Sequence, residues 1–106
     1  SKLNAYNAKL SQDLLKQNLY QDISRAYADA RAALNKYNAS IANVEAAGES
    51  LRYAQIKLNS GAISAFDFIT AKNRHFAAES NLLQAKYDYV FRLKVLDFYA
   101  GKPLGL

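Results

Sequence analysis

One short interruption divides an otherwise continuous helical pattern, and it constrains the fold more than any other feature of the sequence. Only residues 58–67 break the pattern. Within them, Asn59 and Gly61 tolerate the left-handed backbone conformation that ends a helix. Ser64, with Asp67 three residues later, has the spacing of a capping box, which starts a helix. Two helical arms therefore meet at this point.

The short loop between the arms determines how they pack. We predict one domain with a helix over 2–58, a tip loop over 59–63, a second helix over 64–100 and a tail over 101–106. Because a loop of so few residues joins neighbouring helices, the second arm must run back along the first. The predicted fold is therefore all-α: a long antiparallel helical hairpin of the coiled-coil type.

The first arm carries a heptad pattern with alternating spacings of four and three residues. The seam positions are Ile23, Tyr27, Ala30, Leu34, Tyr37, Ile41, Val44, Gly48, Leu51, Gln55 and Leu58. Alanines widen this face on both sides, with Ala26, Ala33, Ala47 and Ala54 in one stripe and Ala28, Ala32, Ala39, Ala42 and Ala46 in the other. So wide a face is typical of a helix that contacts two neighbours, as in a helical barrel.

The second arm carries two adjacent apolar stripes. The first consists of Phe68, Ala71, His75, Ala78, Leu82, Ala85, Tyr89 and Leu96. The second consists of Ile69, Phe76, Leu83 and Val90. Since one partner helix covers one stripe, both arms should keep apolar surface for other neighbours.

Charge and hydropathy exclude two classes of partner. The chain has 14 Lys and Arg against 9 Asp and Glu, a net charge of +5, but these residues are scattered singly. A nucleic-acid-binding protein clusters Lys and Arg on one face, so no nucleic acid is expected. No apolar run reaches the ~18 residues of a transmembrane helix, and no signal peptide is visible. Because Ser1 lies within the helical pattern, we expect the sequence to be a piece of a longer protein.

The residues needed for catalysis or for metal binding are missing. The chain has no cysteine and one histidine, and it lacks the spacings of a metal site or a phosphate-binding loop. We therefore expect neither an enzyme nor a cofactor. His75 occupies a seam position, where packing is the usual role and a ligand or pH switch is the alternative. Asp67 is interpreted as a helix-capping residue, with pore lining as the alternative.

Gly48 gives the sharpest structural prediction. A glycine inside a helix costs about 1 kcal/mol relative to alanine, so it needs a packing reason. If the chain folds back between Gly61 and Ala62, facing residues have numbers that sum to about 123, because both helices rise equally. Gly48 should then face His75, and the missing side chain would make room for the imidazole or for Phe76.

The stretches 49–68 and 84–89 strongly resemble the TolC-like outer-membrane efflux protein family. The most specific part is the G-x-x-S-x-x-D tip, which starts at Gly61 and is followed by A-x-x-x-x-x-x-A and A-x-Y-x-Y. Residues 96–104 are similar to the carboxyl ends of family members from the Bacteroides group. The resemblance covers nearly the whole chain, which looks like the last long periplasmic hairpin of such a protein.

The resemblance implies a fragment of the periplasmic α-helical barrel in a homotrimeric channel, which crosses the outer membrane through segments outside this chain. It implies two partners, a periplasmic adaptor protein and an inner-membrane transporter. The adaptor would dock on the tip, at Leu58, Asn59, Ser60, Gly61, Ala62, Ile63 and Ser64. The candidate pore constriction consists of Asp67 and Thr70.

The tip departs from the best-known family members, which have a Tyr and an Arg around the turn and two aspartates three residues apart. The corresponding residues here are Leu58, Ile63, Asp67 and Thr70, so only Asp67 is retained. This difference favours closure of the tip by hydrophobic packing over a gate of salt bridges.

Two functions follow from these patterns. The first is a passive conduit that exports small molecules and is driven by partner proteins in a tripartite pump. The alternative is a coiled-coil scaffold, or the hairpin of a periplasmic adaptor, that joins other proteins without forming a channel.

Overall fold

The computed structural model describes residues 1–101, which form two helices. Helix α1 spans Lys2–Asn59 and helix α2 spans Ala65–Gly101. Residues 60–64 join them as a turn. The architecture is the predicted all-α antiparallel helical hairpin.

The helix ends differ from the predicted ends by one residue. Helix α1 continues through Asn59, and α2 begins at Ala65 because Ser64 is its cap and not its first helical residue. Gly101, predicted to begin the tail, is the last residue of α2. The rest of the predicted tail, 102–106, lies outside the described residues.

The chain divides into two compact units, and the first contains the start of α1 and the end of α2. Residues 1–18 are all exposed, whereas Ala26 and Ala30 are buried. Tyr27 was predicted to lie in the seam but is 59% exposed. The buried alanines on either side bring the helices close together, which leaves no room between them for a tyrosine ring.

The second unit, Ala33–Val90, contains the tip and the longest covered seam. Its buried side chains are all alanines, namely Ala33, Ala54, Ala78 and Ala85. The larger seam residues are half-buried, and they are Leu34, Tyr37, Ile41, Val44, Leu51, Leu58, Phe68, His75, Leu82 and Tyr89. A single partner helix can enclose a methyl group but only one side of a larger side chain, which explains this distribution.

Gln55 is the exception in this seam. Its side chain is exposed, and its amide Nε2 donates a hydrogen bond to Asn59 Oδ1 at 3.1 Å. A polar side chain that can bond along its own helix gains nothing from entering an apolar seam.

The pairing of Gly48 with His75 is confirmed. A Cβ atom at Gly48 would lie 3.6 Å from His75 Nε2 and 3.7 Å from its Cδ2. Farther from the tip, the rings of Tyr37 and Tyr89 stack with centroids 6.1 Å apart. The residue numbers of these two pairs sum to 123 and 126, close to the predicted value of about 123. Equal rise in two antiparallel helices requires such a constant sum.

The two alanine stripes of α1 differ in burial. Ala33 and Ala54 are buried and Ala47 is half-buried, so their stripe belongs to the interface between the helices and is not a second surface. The opposite stripe is open, since Ala28, Ala32, Ala39, Ala42 and Ala46 are all exposed.

The second apolar stripe of α2 is also open. Ile69 is 52% exposed, Phe76 61%, Leu83 53% and Val90 41%. These residues lie beside the seam and stay largely open, because the first stripe occupies the side of α2 that contacts α1. We call Ile69, Phe76, Leu83 and Val90 the open stripe.

Candidate functional site

The end of α1 is built by one glycine and two backbone hydrogen bonds. Gly61 has a φ of 76°, in the left-handed region. Its N–H donates to the Leu58 carbonyl at 3.1 Å, and the Ala62 N–H donates to the Lys57 carbonyl at 2.8 Å. These two bonds form a Schellman motif, which satisfies carbonyl groups at the end of the helix. Asn59 keeps a negative φ, so the prediction that it shares the left-handed role is wrong.

The start of α2 is built by Ser64. Its Oγ accepts a hydrogen bond from the Asp67 backbone N–H at 3.2 Å, which is one of the two hydrogen bonds of the predicted capping box. The Asp67 carboxylate lies in the first turn, where the helix dipole favours a negative charge. The two termini therefore fix the turn without any contact from another chain.

The turn presents backbone and small polar side chains to solvent. Exposed residues are Asn59, Ser60, Gly61, Ala62 and Ser64. Leu58 and Ile63 are half-buried. The predicted docking residues therefore lie together at one end of the second unit, and two of them are partly covered aliphatic residues.

Phe66 belongs to this surface and was missed by sequence reasoning. It is 75% exposed, more than any other large apolar side chain in residues 1–101. Phe66 is three residues before Ile69, so the two side chains are neighbours on the surface of α2, and this spacing could have identified it. The tip thus combines a polar turn with one solvent-exposed aromatic ring.

The two candidate constriction residues lie on one side of α2. Asp67 and Thr70 are three residues apart, so their side chains are neighbours on the helix surface. Asp67 is exposed, and Thr70 is half-buried with its Oγ1 donating to the Phe66 carbonyl at 3.1 Å. The carboxylate is thus available to solvent or to another chain.

His75 packs between the helices. It is near Gly48, and its Nε2 lies 3.2 Å from Glu79 Oε1. Among residues 1–101, no three His, Cys, Asp or Glu side chains form a group that could hold a metal ion. Neither helix, over that same range, has a stretch long and apolar enough to cross a membrane.

Comparison with known proteins adds one finding. The family model described as outer membrane efflux protein matches residues 4–102, a range that includes both helices and the turn. Searches of curated proteins and of solved structures returned no match.

Proposed function

Since the chain belongs to the outer membrane efflux protein family, we propose that it forms part of the periplasmic α-helical barrel of a trimeric efflux channel. The channel is a passive conduit that exports small molecules from a bacterium. This hairpin lies in the periplasm, and other segments of the protein hold it in the outer membrane. The family match favours this function over a scaffold or an adaptor hairpin.

The observation that carries the proposal is the open stripe of α2. Four large apolar side chains, spaced by seven residues, remain between 41% and 61% exposed after the hairpin has formed. Water-exposed apolar surface of this regularity marks a protein contact. In a barrel wall every hairpin has a neighbour on each side, and the open stripe supplies one of these two contacts.

The conduit requires energy from elsewhere, because the family consists of transport proteins and not enzymes. We assign this role to an inner-membrane transporter that is linked to the channel by a periplasmic adaptor in a tripartite pump. The adaptor docks on the tip, where the exposed Phe66 in the first turn of α2 offers an aromatic anchor. Aromatic anchors of this kind commonly dominate the binding energy of an interface.

The same tip closes the conduit at rest. Packing of Leu58 and Ile63 holds the turns of the three copies together, and Asp67 and Thr70 form the narrowest ring. Three Asp67 carboxylates at one level repel one another, so opening the tip relieves that repulsion.

Assembly of the full-length protein tests the proposed contact. Leu83→Arg places a charge in the open stripe, and we expect the trimer to be lost because an unpaired charge is costly in an apolar interface. Gln84→Arg is the matched control, since it introduces the same arginine one residue later at an exposed polar position. Native mass spectrometry of both variants in detergent reports the outcome. Persistence of the Leu83→Arg trimer would argue against the contact, as would loss of both trimers.

A further inference from the structure

Two sides of the second unit differ in chemistry. On one side, two adjoining grooves of about 590 Å³ and 400 Å³ run between the helices and share Asn43 and Asn81. Apart from alanines, every residue that lines these grooves is polar or charged, including Ser50 and Gln84. We call this surface the amide side.

The other side has a groove of about 630 Å³ with a different lining. Large apolar residues make up most of its lining, among them Tyr37, Phe76 and Leu83, and the rest of the lining is Glu79, Ser80 and Lys86. An apolar centre with charged residues around it is the usual composition of a protein interface.

The helix geometry places these linings on opposite sides of α2. Asn81 is two residues from Glu79 and two residues from Leu83. At 3.6 residues per turn, two residues correspond to about 200° around the axis. A side chain at Asn81 therefore points away from both groove residues of the apolar side.

We infer that the amide side is the inner, water-filled wall of the conduit. The inference rests on the proposed function. Amide and hydroxyl groups at this surface keep their hydrogen bonds when they face water, whereas burial against a neighbour would require new partners for all of them. The open stripe has the opposite requirement, since Phe76 and Leu83 are stabilised when a neighbour covers them.

The heptad spacing connects this wall to the tip. Asp67 precedes Arg74 by seven residues, and Asn81 and Asp88 follow at the same interval. These four positions therefore lie in one line along α2. The line leads from the candidate constriction into the amide side, so one surface of α2 provides both the narrow ring and the wall above it.

The lining determines which solutes pass. The apolar residues that line these grooves are all alanines, so an apolar solute finds no large apolar side chain that would retain it. Lys36 and Arg74 are cationic and Asp88 is anionic, so both signs of charge meet a counter-charge on the wall. Conduction requires binding weak enough for release, and this wall suits hydrated polar solutes of either charge.

Thiol modification of the full-length protein in planar lipid bilayers tests the inference. This chain has no cysteine, and any cysteine elsewhere in the full-length protein is first replaced by serine so that the single substitutions are labelled selectively. Asn81→Cys places a thiol on the amide side, and Glu79→Cys places one on the apolar side of the same helix turn. The probe is a cationic methanethiolsulfonate reagent added during single-channel recording, with mass spectrometry to report whether each thiol has reacted. A Glu79→Cys thiol that a neighbour covers does not react and leaves the current unchanged.

We expect a drop in conductance and a shift of the reversal potential toward anion selectivity in Asn81→Cys channels, with no change in Glu79→Cys channels. The reverse pattern, an equal effect at both positions or no effect at either would overturn the inference while the channel function stands. Because the proposed tip closes the conduit at rest, the recordings use the variant Leu58→Asp, Ile63→Asp as the background in which the tip is open. If this full-length variant inserts into the bilayer and still conducts no ions, the proposed function is overturned, and the inference with it.

Discussion

At the scale of single residues, Gly48 shows how a local cost is offset by packing between helices. Its Cα faces the His75 ring at a distance where a Cβ would make ordinary van der Waals contact, 3.6 Å from Nε2. The site therefore accommodates a methyl group, which is more than the sequence suggested. Atoms beyond Cβ would meet the imidazole.

Two substitutions at position 48 separate the helix preference of the residue from its packing against His75. Gly48→Ala should raise the free energy of unfolding by up to about 1 kcal/mol, because alanine favours the helix. Gly48→Leu should lower it by about 1–3 kcal/mol, because the side chain overfills the contact with His75. Urea unfolding followed by circular dichroism measures both changes.

Ala42→Leu is the control for the bulk of leucine, since Ala42 is on the exposed side of the same helix. Its effect should stay within about 0.5 kcal/mol, as for most surface substitutions. If Gly48→Leu were no more destabilising than this control, the packing argument would be wrong.

Sequence reasoning predicted the roles of some residues and missed those of others. The position of Gly61 and the cap at Ser64 follow from backbone chemistry that acts over a few residues, so they could be predicted. The exposure of Tyr27 could not, because it depends on how closely the neighbouring alanines bring the helices together. The pairing of Asp29 with Arg92, whose Oδ2 and Nη1 lie 3.7 Å apart, was missed since it joins distant parts of the chain.

At the scale of the helices, the open stripe predicts how the isolated hairpin behaves. We expect this chain to self-associate in solution, because Phe76 and Leu83 are more than half exposed and lie on one line of α2. Sedimentation equilibrium should show an average mass that rises with concentration. The double variant Phe76→Glu, Leu83→Lys should remain monomeric, and a monomeric parent chain at high concentration would contradict the prediction.

The helices themselves were the most predictable part of the molecule. Heptad spacing fixes which side of each helix contacts the other, and the short turn fixes the antiparallel arrangement. Heptad spacing alone could not assign the alanine stripes of α1. Ala33 and Ala54 entered the interface because small side chains allow close approach, whereas the equally small Ala39 and Ala46 remained outside.

At the scale of the whole molecule, each surface of the hairpin has a different proposed task. The covered seam holds α1 to α2, and we propose that the open stripe contacts a neighbour, that the tip docks the adaptor and that the amide side faces the passage. None of these assignments uses catalytic chemistry. A long wall made of many such hairpins needs only contacts that repeat and a surface that solutes do not adhere to.

The structure of the full-length protein by electron cryomicroscopy tests this account most directly. We predict that three copies of the hairpin surround one passage and that Ile69, Phe76 and Leu83, now 52%, 61% and 53% exposed, are buried against neighbouring helices. A structure in which these three side chains remain exposed, or in which the hairpins stand apart from the passage, would contradict it.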